Sequence, residues 1–269
     1  IHIRMDFLLL CMNQLINIAA KAHYMYGGNA NVPLVVRCII GKSWGQGAQH
    51  SQALHSLFMH IPGLKVVAPS NAYDAKGLML SAIDDPNPVI FMEHRLLYST
   101  ESEVPNEPYK VEIGKSKVVR QGNAVTIVAI SNMVIESLRA AEFLKDIGIE
   151  VTVIDLVSLS PIDMKPILAS VENTKNLLVV DNAWLNCGAS AEIISRVCES
   201  TNSPISVKRI GFAETTCPTT PSLEDAFYPS PMTISQAVVE LSEPERLIDW
   251  DAQKVALEAV NAKKFKGPF

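Results

Sequence analysis

The chain has 269 residues, of which 48% are hydrophobic and 19% are charged, and its formal net charge is −5. This length suits two domains of ordinary size, and the apolar content is ample for buried cores. The mild acidity is not the electrostatic signature of a protein that binds nucleic acid or an anionic membrane, and no apolar stretch reaches the ~18 residues of a membrane span.

The five cysteines are scattered and form no CxxC pair, so neither a disulfide framework nor a zinc site is expected. Free thiols of this kind are typical of a reducing compartment. We therefore expect a cytoplasmic protein, or a mitochondrial matrix protein if the source is eukaryotic. The opening stretch 1–10 has no signal-peptide pattern, and because it begins on Ile we interpret it as a start inside an existing fold.

The first part of the chain alternates predicted helices with short apolar strands. Three helices are predicted, at 7–22, 49–59 and 71–83. Three strands are predicted, at 32–40, 65–68 and 89–92. Ser70 or Asn71 is expected to cap the third helix, and a glycine-containing loop at 42–47 follows the first strand.

Hydrophobic periodicity disappears between residues 99 and 115, where the sequence is polar, acidic and contains two prolines. This composition is typical of an extended linker. The sequence therefore predicts a first domain at 1–98, a linker at 99–115 and a second domain at 116–242. The charged tail at 243–269 is expected to lie on a surface or on a partner.

The second domain is predicted to open with a β-hairpin, in which strands 117–120 and 124–130 flank the turn residues Gly122 and Asn123. Further strands are predicted at 150–156, 177–181 and 206–210. Helices are predicted at 133–146, from Pro161 onward, at 189–199 and at 233–241. Alternation at this spacing is typical of right-handed βαβ units, so the predicted fold class is α/β with largely parallel sheets.

The stretch GKSWGQGAQHSQALHSLF at 41–58 places His50 at the predicted start of a helix. A helix start lowers the pKa of a nearby imidazole, which could then exchange protons near physiological pH. A hydrogen-bonded structural histidine is the alternative, which the spacing alone favours. His55 and His60 recur at an interval that splays side chains around a helix, so we interpret them as ordinary polar positions rather than metal ligands.

Two further places have alternative interpretations. Phe7, taken by itself, is a core residue at the start of an apolar helix. Asp84, Asp85 and Asn87 supply oxygens suited to a hard cation, but DDPN is also a common turn, and turn chemistry is favoured. The sequence contains no P-loop, no dinucleotide-binding glycine motif and no nucleophile elbow.

Several motifs follow one another in a specific order. AQHSQ stands at 48–52, and PGLKVV, DAKGL and NPV follow within 60–98. VTIVAISNMV, IEVTVIDLVSLSPID, NLLVVDNAW and GASAEI follow in the second domain. This combination, over about residues 3–241, is similar to the beta subunits of the pyruvate and branched-chain 2-oxo acid dehydrogenases. The resemblance implies an incomplete transketolase-like pyrimidine-binding domain followed by a transketolase carboxy-terminal domain.

The resemblance implies an enzyme that decarboxylates a 2-oxo acid and transfers the acyl group to lipoamide. Its thiamine diphosphate would be shared with an alpha subunit that holds magnesium and diphosphate. The further implied partners are a second beta subunit and a lipoyl acyltransferase core. Phe7 is implied to lie against the aminopyrimidine ring, and His50 to be the active-site histidine. A structural potassium ion is implied at four residues, mostly through their carbonyls: Leu34, Ala82, Asp85 and Asn87.

The Gly-Asp-Gly and Asn-Asn motif with which thiamine enzymes hold magnesium and diphosphate is absent, and the resemblance implies that the alpha subunit supplies these ligands. The sequence departs from the family pattern in two respects. Asn13 precedes Gln14 where the family usually has Asp. The family's catalytic glutamate lies upstream of Phe7, beyond Ile1, so we expect the 269-residue chain alone to be inactive.

Two alternative functions stay open from the sequence. One is part of another transketolase-like thiamine enzyme, such as deoxyxylulose phosphate synthase, although AQHSQ and DAKGL disfavour this. The other is a non-catalytic interaction module that kept the fold and lost the chemistry.

Overall fold

The computed structural model describes residues 1–42 and 45–253, which form two five-stranded sheets flanked by helices. The predicted loop at 42–47 falls partly, and the tail at 243–269 mostly, outside the described residues. Within the described ranges, none of the helices has the length and apolar character needed to cross a membrane.

The first sheet has the strand order β1-β2-β4-β3-β8. Its strands are β1 (His2–Arg4), β2 (Val35–Ile40), β3 (Lys65–Val67), β4 (Val89–His94) and β8 (Ser158–Ser160). The first four are parallel to one another, whereas β8 pairs antiparallel with β3. All residues of β4 are buried, as expected of a central strand covered on both faces.

The second sheet has the order β10-β9-β6-β7-β5. Its strands are β5 (Lys117–Arg120), β6 (Thr126–Ala129), β7 (Thr152–Asp155), β9 (Asn176–Trp184) and β10 (Ser206–Phe212). All neighbours are parallel except β5, which pairs antiparallel with β7. The predicted α/β class with largely parallel sheets is therefore confirmed.

The α-helices pack on both sheets. They are α1 (Met5–Leu8), α2 (Ala20–Met25), α3 (His55–Met59), α4 (Ala72–Ile83), α5 (Asn132–Asp146), α6 (Lys165–Thr174), α7 (Ala189–Ser200), α8 (Pro221–Phe227) and α9 (Pro231–Ser242). The helical turns between α1 and α2 make 5–25 almost continuously helical, close to the predicted 7–22. The predicted cap of α4 is confirmed at Asn71, whose side chain accepts a hydrogen bond from the backbone N–H of Asp74.

Three local predictions are wrong. The helix predicted from Pro161 onward begins only at Lys165. The predicted hairpin does not form, because β5 and β6 lie on opposite sides of β7, although Gly122 does lie in the connection between them. The predicted helix at 49–59 begins only at His55. Backbone N–H groups before it bond to side chains instead, that of Gln52 to Asp6 and that of Leu54 to Met5.

The segment predicted as a linker is docked on α4 of the first domain. Ser81 Oγ donates a hydrogen bond to the Val111 carbonyl over 2.6 Å, and Gly77 leaves the space that Val111 and Tyr109 fill. In addition, β8 comes from the predicted second domain but extends the first sheet. The domain bounds stay a prediction, and the two parts share a sheet edge.

Candidate functional site

The carboxyl ends of three parallel strands meet at one edge of the first sheet. Arg4 ends β1, Ile40 ends β2 and His94 ends β4, and these strands are adjacent. In open α/β sheets ligands bind outside the carboxyl ends of the strands. The residues that follow these ends are therefore the candidates for a site.

Phe7 and His50 meet at this edge. Phe7 lies on α1, immediately after β1, and its ring is 5.0 Å from the His50 ring in an edge-to-face arrangement. Phe7 keeps 38% of its surface exposed, so the interpretation as a core residue is wrong. His50 is half-buried in a turn, with its backbone N–H bonded to the Gly47 carbonyl over 3.3 Å. Because α3 begins only at His55, the argument that a helix start tunes His50 does not apply.

A buried ion pair that the sequence analysis missed lies beside these two rings. Arg4 Nε donates to Asp6 Oδ2 over 3.1 Å, and Arg4 Nη2 donates to the Gly41 carbonyl over 3.0 Å. The other oxygen of Asp6 accepts the backbone N–H of Gln52 over 3.0 Å. In the sequence, the two charges had stood out only as interruptions of an apolar stretch.

His94 is a second buried polar residue at the same strand ends. Its Nδ1 accepts the backbone N–H of Leu96 over 3.3 Å, which in the neutral ring leaves the proton on Nε2. Burial, with the positive charges of Lys42 and Arg4, lowers the pKa of His94 to about 3. Gly41 has a φ of +87°, and any Cβ there would overlap the His94 ring. His94 is therefore a neutral imidazole covered by a backbone that requires glycine.

Residues of the second domain contact Lys42, which lies just after β2. Lys42 bonds to Asp225 over 2.9 Å and lies 5.2 Å from the centre of the Tyr228 ring. Burial raises the pKa of Tyr228, and burial also raises the pKa of Glu224. The site thus borders two groups, Glu224 on α8 and Tyr228 just after it, whose charged forms are disfavoured by their surroundings.

His55 is not the ordinary polar position that the spacing indicated. It is fully buried, and its Nε2 lies 3.1 Å from both carboxylate oxygens of Asp181 on β9. The pair joins α3 of the first domain to the second sheet. Because Asp181 is far from His55 in the sequence, the local pattern could not predict this pairing. His60 is exposed, as expected of a polar position.

The four residues expected to hold potassium lie around one turn. The Leu34 carbonyl accepts the N–H of Val89 over 2.9 Å, which brings β2 to the end of the turn. The Ala82 carbonyl accepts the N–H of Asp85 over 3.4 Å, and Asp85 Oδ1 accepts the N–H of Asn87 over 2.9 Å. Asp85 Oδ2 is engaged by Lys65. Turn and cation chemistry are therefore both compatible with this geometry, although the lysine ammonium competes for the carboxylate.

An apolar surface covers the outer side of the 9–26 helical segment. Its large exposed side chains are Leu9, Leu10, Ile18, Tyr24, Met25 and Tyr26. Leu10 is 88% exposed and Tyr24 is 89% exposed. Several large apolar side chains exposed within one segment are typical of a surface that binds another protein. Asn13, the departure from the family's Asp, bonds to Asn17 in this segment over 2.8 Å.

Comparisons with protein families cover both parts of the chain. The family model described as transketolase, pyrimidine binding domain, matches residues 2–101. The model described as transketolase, C-terminal domain, matches residues 114–234.

Curated relatives are similar over most of the chain. The chain is 44% identical to the beta subunit of acetoin:2,6-dichlorophenolindophenol oxidoreductase from Cupriavidus necator over 234 residues, which are 86% of this chain and 69% of that protein. It is 39% identical to the pyruvate dehydrogenase E1 component subunit beta of Porphyra purpurea over 246 residues, 91% and 74% of the two chains. It is 44% identical to the mitochondrial counterpart from Bos taurus over 198 residues, 72% and 55% of the two chains.

A solved structure has the same fold. It is described as a split gene transketolase, inactive beta4 tetramer, and it covers 91% of this chain and 76% of its own, with a TM-score of 0.75 at 22% identity. At this identity the likeness shows the fold alone. Together with the family models, it confirms the predicted order of a pyrimidine-binding domain and a transketolase carboxy-terminal domain.

Proposed function

Because the chain belongs to the transketolase-like beta subunits of 2-oxo acid dehydrogenase complexes, a family of thiamine-diphosphate oxidoreductases, we propose that it supplies the pyrimidine side of a cofactor site shared with an alpha subunit. The observation that carries this proposal is the contact between Phe7 and His50 at the carboxyl edge of the first sheet. It combines a partly exposed aromatic ring with a titratable ring at the place where such sheets bind ligands.

The residues at this edge fit the cofactor's flat heterocycle. The exposed part of Phe7 can stack on a pyrimidine, and the edge contact with His50 fixes the orientation of the phenyl ring. The described residues contain no group of three or more His, Cys, Asp and Glu side chains suited to a metal. We assign the ligands of magnesium and diphosphate to the alpha subunit.

Thiamine diphosphate, when bound, supplies a nucleophilic carbon and an electron sink for cleavage of the bond next to a carbonyl. The contribution of this chain is to orient the ring and to move a proton. His50 is half-buried, and a ring nitrogen of its imidazole can give a proton to, or take one from, a substrate oxygen, and can give a proton to the sulfur released when the disulfide of an incoming lipoyl group is opened.

The substrate belongs to one of two related classes. A 2-oxo acid such as pyruvate would lose carbon dioxide, whereas acetoin would lose acetaldehyde and leave the same two-carbon unit. Acetoin is favoured by the similarity to the acetoin oxidoreductase subunit, which is 44% identical to this chain over 234 residues. Incubation of the assembled enzyme with each compound and an artificial electron acceptor distinguishes the two by the released product.

The partners and the surroundings of the site complete the proposal. The apolar surface at 9–26 is assigned to contact with the alpha subunit or a second beta subunit, and the acyl group is assigned to a lipoyl acyltransferase. The turn at Leu34, Ala82, Asp85 and Asn87 is assigned to a potassium ion bound mainly by backbone carbonyls. All five cysteines are free, which suits a reducing compartment such as the cytoplasm or the mitochondrial matrix.

Replacement of His50 tests the proposal. In an enzyme assembled from the alpha subunit and a beta chain that also carries the glutamate expected upstream of Ile1, His50→Ala should lower lipoamide-linked turnover by ~10²–10⁴, the usual effect of losing a placed proton donor or acceptor. The exposed His60→Ala is the matched control and should keep full turnover. Full lipoamide-linked turnover in His50→Ala would return this residue to a structural role and remove the basis of the proposal.

A further inference from the structure

The Arg4–Asp6 ion pair is buried next to the Phe7–His50 contact. The side chain of Arg4 is 9% exposed and that of Asp6 is 2% exposed. Removing two charges from water is costly, and a buried pair by itself adds little to stability compared with apolar residues of similar size. Its position therefore points to a role in holding a defined geometry.

The pair joins four segments of the chain. Asp6 Oδ2 accepts from Arg4 Nε over 3.1 Å, and Asp6 Oδ1 accepts from the backbone N–H of Gln52 over 3.0 Å. Arg4 Nη2 donates to the carbonyl of Gly41 over 3.0 Å. The end of β1, the start of α1, the residue after β2 and the loop after His50 thus share one set of charge-assisted hydrogen bonds.

The two proposed site residues lie directly beside these contacts. Asp6 precedes Phe7, and Gln52 follows His50 by two positions. The backbone N–H of Leu54 also bonds to Met5 Sδ over 3.1 Å, so the loop is attached to α1 twice. The backbone that carries the His50 ring is therefore held against the backbone that carries the Phe7 ring.

We propose that Asp6, held by Arg4, is a positioning residue that sets His50 relative to Phe7. It acts through the Gln52 N–H and does not contact substrate. The carboxylate cannot follow a movement of the loop, because the guanidinium on its other oxygen is itself fixed to Gly41. This inference rests on the proposed function of His50.

Two variants of Asp6 separate its two contacts. Asp6→Asn keeps an oxygen for the Gln52 N–H but turns an amide N–H₂ toward Arg4, where donor meets donor. Asp6→Ala removes both contacts. Asp74→Asn is the matched control, since Asp74 has an equally buried carboxylate, 2% exposed, paired with Lys117 away from the sheet edge.

The first measurement is hydrogen–deuterium exchange of the peptide that covers 47–54, in the chain assembled with its alpha subunit. Exchange of this peptide should be at least about tenfold faster in Asp6→Ala, because the Gln52 amide loses its acceptor. The effect in Asp6→Asn should be smaller, and the peptide should be unchanged in Asp74→Asn. This readout does not depend on turnover, and Asp6→Asn serves if Asp6→Ala does not fold.

The second measurement is a double-mutant cycle on turnover. In the assembled enzyme whose beta chain also carries the upstream glutamate, Asp6→Ala should lower kcat about 10- to 100-fold with little change in KM, as expected when an aligned group is displaced. In a His50→Ala background the same change should cause no further loss, because Asp6 acts through His50. Unchanged exchange, faster exchange with normal kcat, or an additive loss would each overturn the inference. Failure of the proposed function would instead be seen in His50→Ala alone.

Discussion

Asp155 is a fully buried carboxyl group whose protonation should make the stability of the protein depend on pH. It ends β7, accepts a hydrogen bond from Ser70 Oγ of the first domain, and accepts the backbone N–H of Val157 over 3.0 Å. Burial raises its pKa from 3.8 to about 7, against the lowering effect of these hydrogen bonds and of Lys117; Asp74 also raises it. The folded state therefore binds this proton more tightly than the unfolded chain does.

The sign of the effect follows from linkage. A carboxyl whose pKa is raised in the folded state contributes stability below its unfolded pKa, and loses that contribution as pH rises through the folded pKa. With a pKa change from 3.8 to about 7, at about 1.4 kcal/mol for each pKa unit, the contribution is about 4 kcal/mol. This contribution should disappear as the pH rises from about 4 to about 7. Its size is a large part of the ~5–15 kcal/mol by which a typical domain is stable.

Asp155→Asn isolates this contribution, because the amide keeps the shape and an acceptor but does not titrate. Urea unfolding of both proteins, followed by circular dichroism from pH 4.5 to 8.5, gives the difference in unfolding free energy at each pH. The stability of the wild type relative to the variant should decline by about 3–4 kcal/mol as pH rises across this range. Asp146→Asn, an exposed position on α5, is the control and should give a flat difference. A flat or rising curve for Asp155→Asn would refute the reasoning.

Three further outcomes are expected. Gly63 has a φ of +98°, and a Cβ there would overlap the Ala20 carbonyl, so Gly63→Ala should lower the free energy of unfolding in urea by at least about 3 kcal/mol. Gly148 has a φ of +86° but open space around it, so Gly148→Ala should lower the same free energy by only about 1–2 kcal/mol. Phe7→Ala should weaken thiamine diphosphate binding about fivefold by calorimetry and Phe7→Tyr should not, since a stacked ring is worth about 1 kcal/mol; equal affinities of Phe7→Ala and the wild type would contradict the stacking role. If the turn at Asp85 binds potassium, the melting temperature should be higher in potassium chloride than in choline chloride at matched ionic strength, and equal values would count against the site.

Local signals predicted the elements whose determinants lie within a few residues. The cap at Asn71 fixed the start of α4, and β-branched runs located β2 and β9 because such side chains suit buried parallel strands. Gly122 correctly marked the connection between β5 and β6, although not the hairpin turn that was predicted there. The pairing partner of β5 could not be predicted from the local sequence, because β5 pairs with β7, which is distant in the sequence, and not with the nearby β6.

In the candidate site, too, some residues were predicted from the sequence and others were not. Phe7 and His50 were found through a resemblance to a family, and the structure brings their rings together. The supporting residues had no local signal of their own. Asp6 bonds to the backbone of a residue 46 positions away, and His55 pairs with a carboxylate 126 positions away. Such pairs depend on tertiary packing, so neither periodicity nor spacing could have found them.

The second domain supports the site because several contacts cross to it from the loop and the sheet that carry His50. The His55–Asp181 pair holds the start of α3, just after the loop, against β9. The β8 strand continues the first sheet next to β3, so the two sheets are attached through backbone hydrogen bonds. Lys42 and Asp225 join the other end of the same loop to α8. Within the described residues, Asp6 bonds to Gln52, and the second domain contacts Lys42 and His55, which precede and follow His50 in the sequence. A histidine in a loop can therefore have the defined position that proton transfer requires.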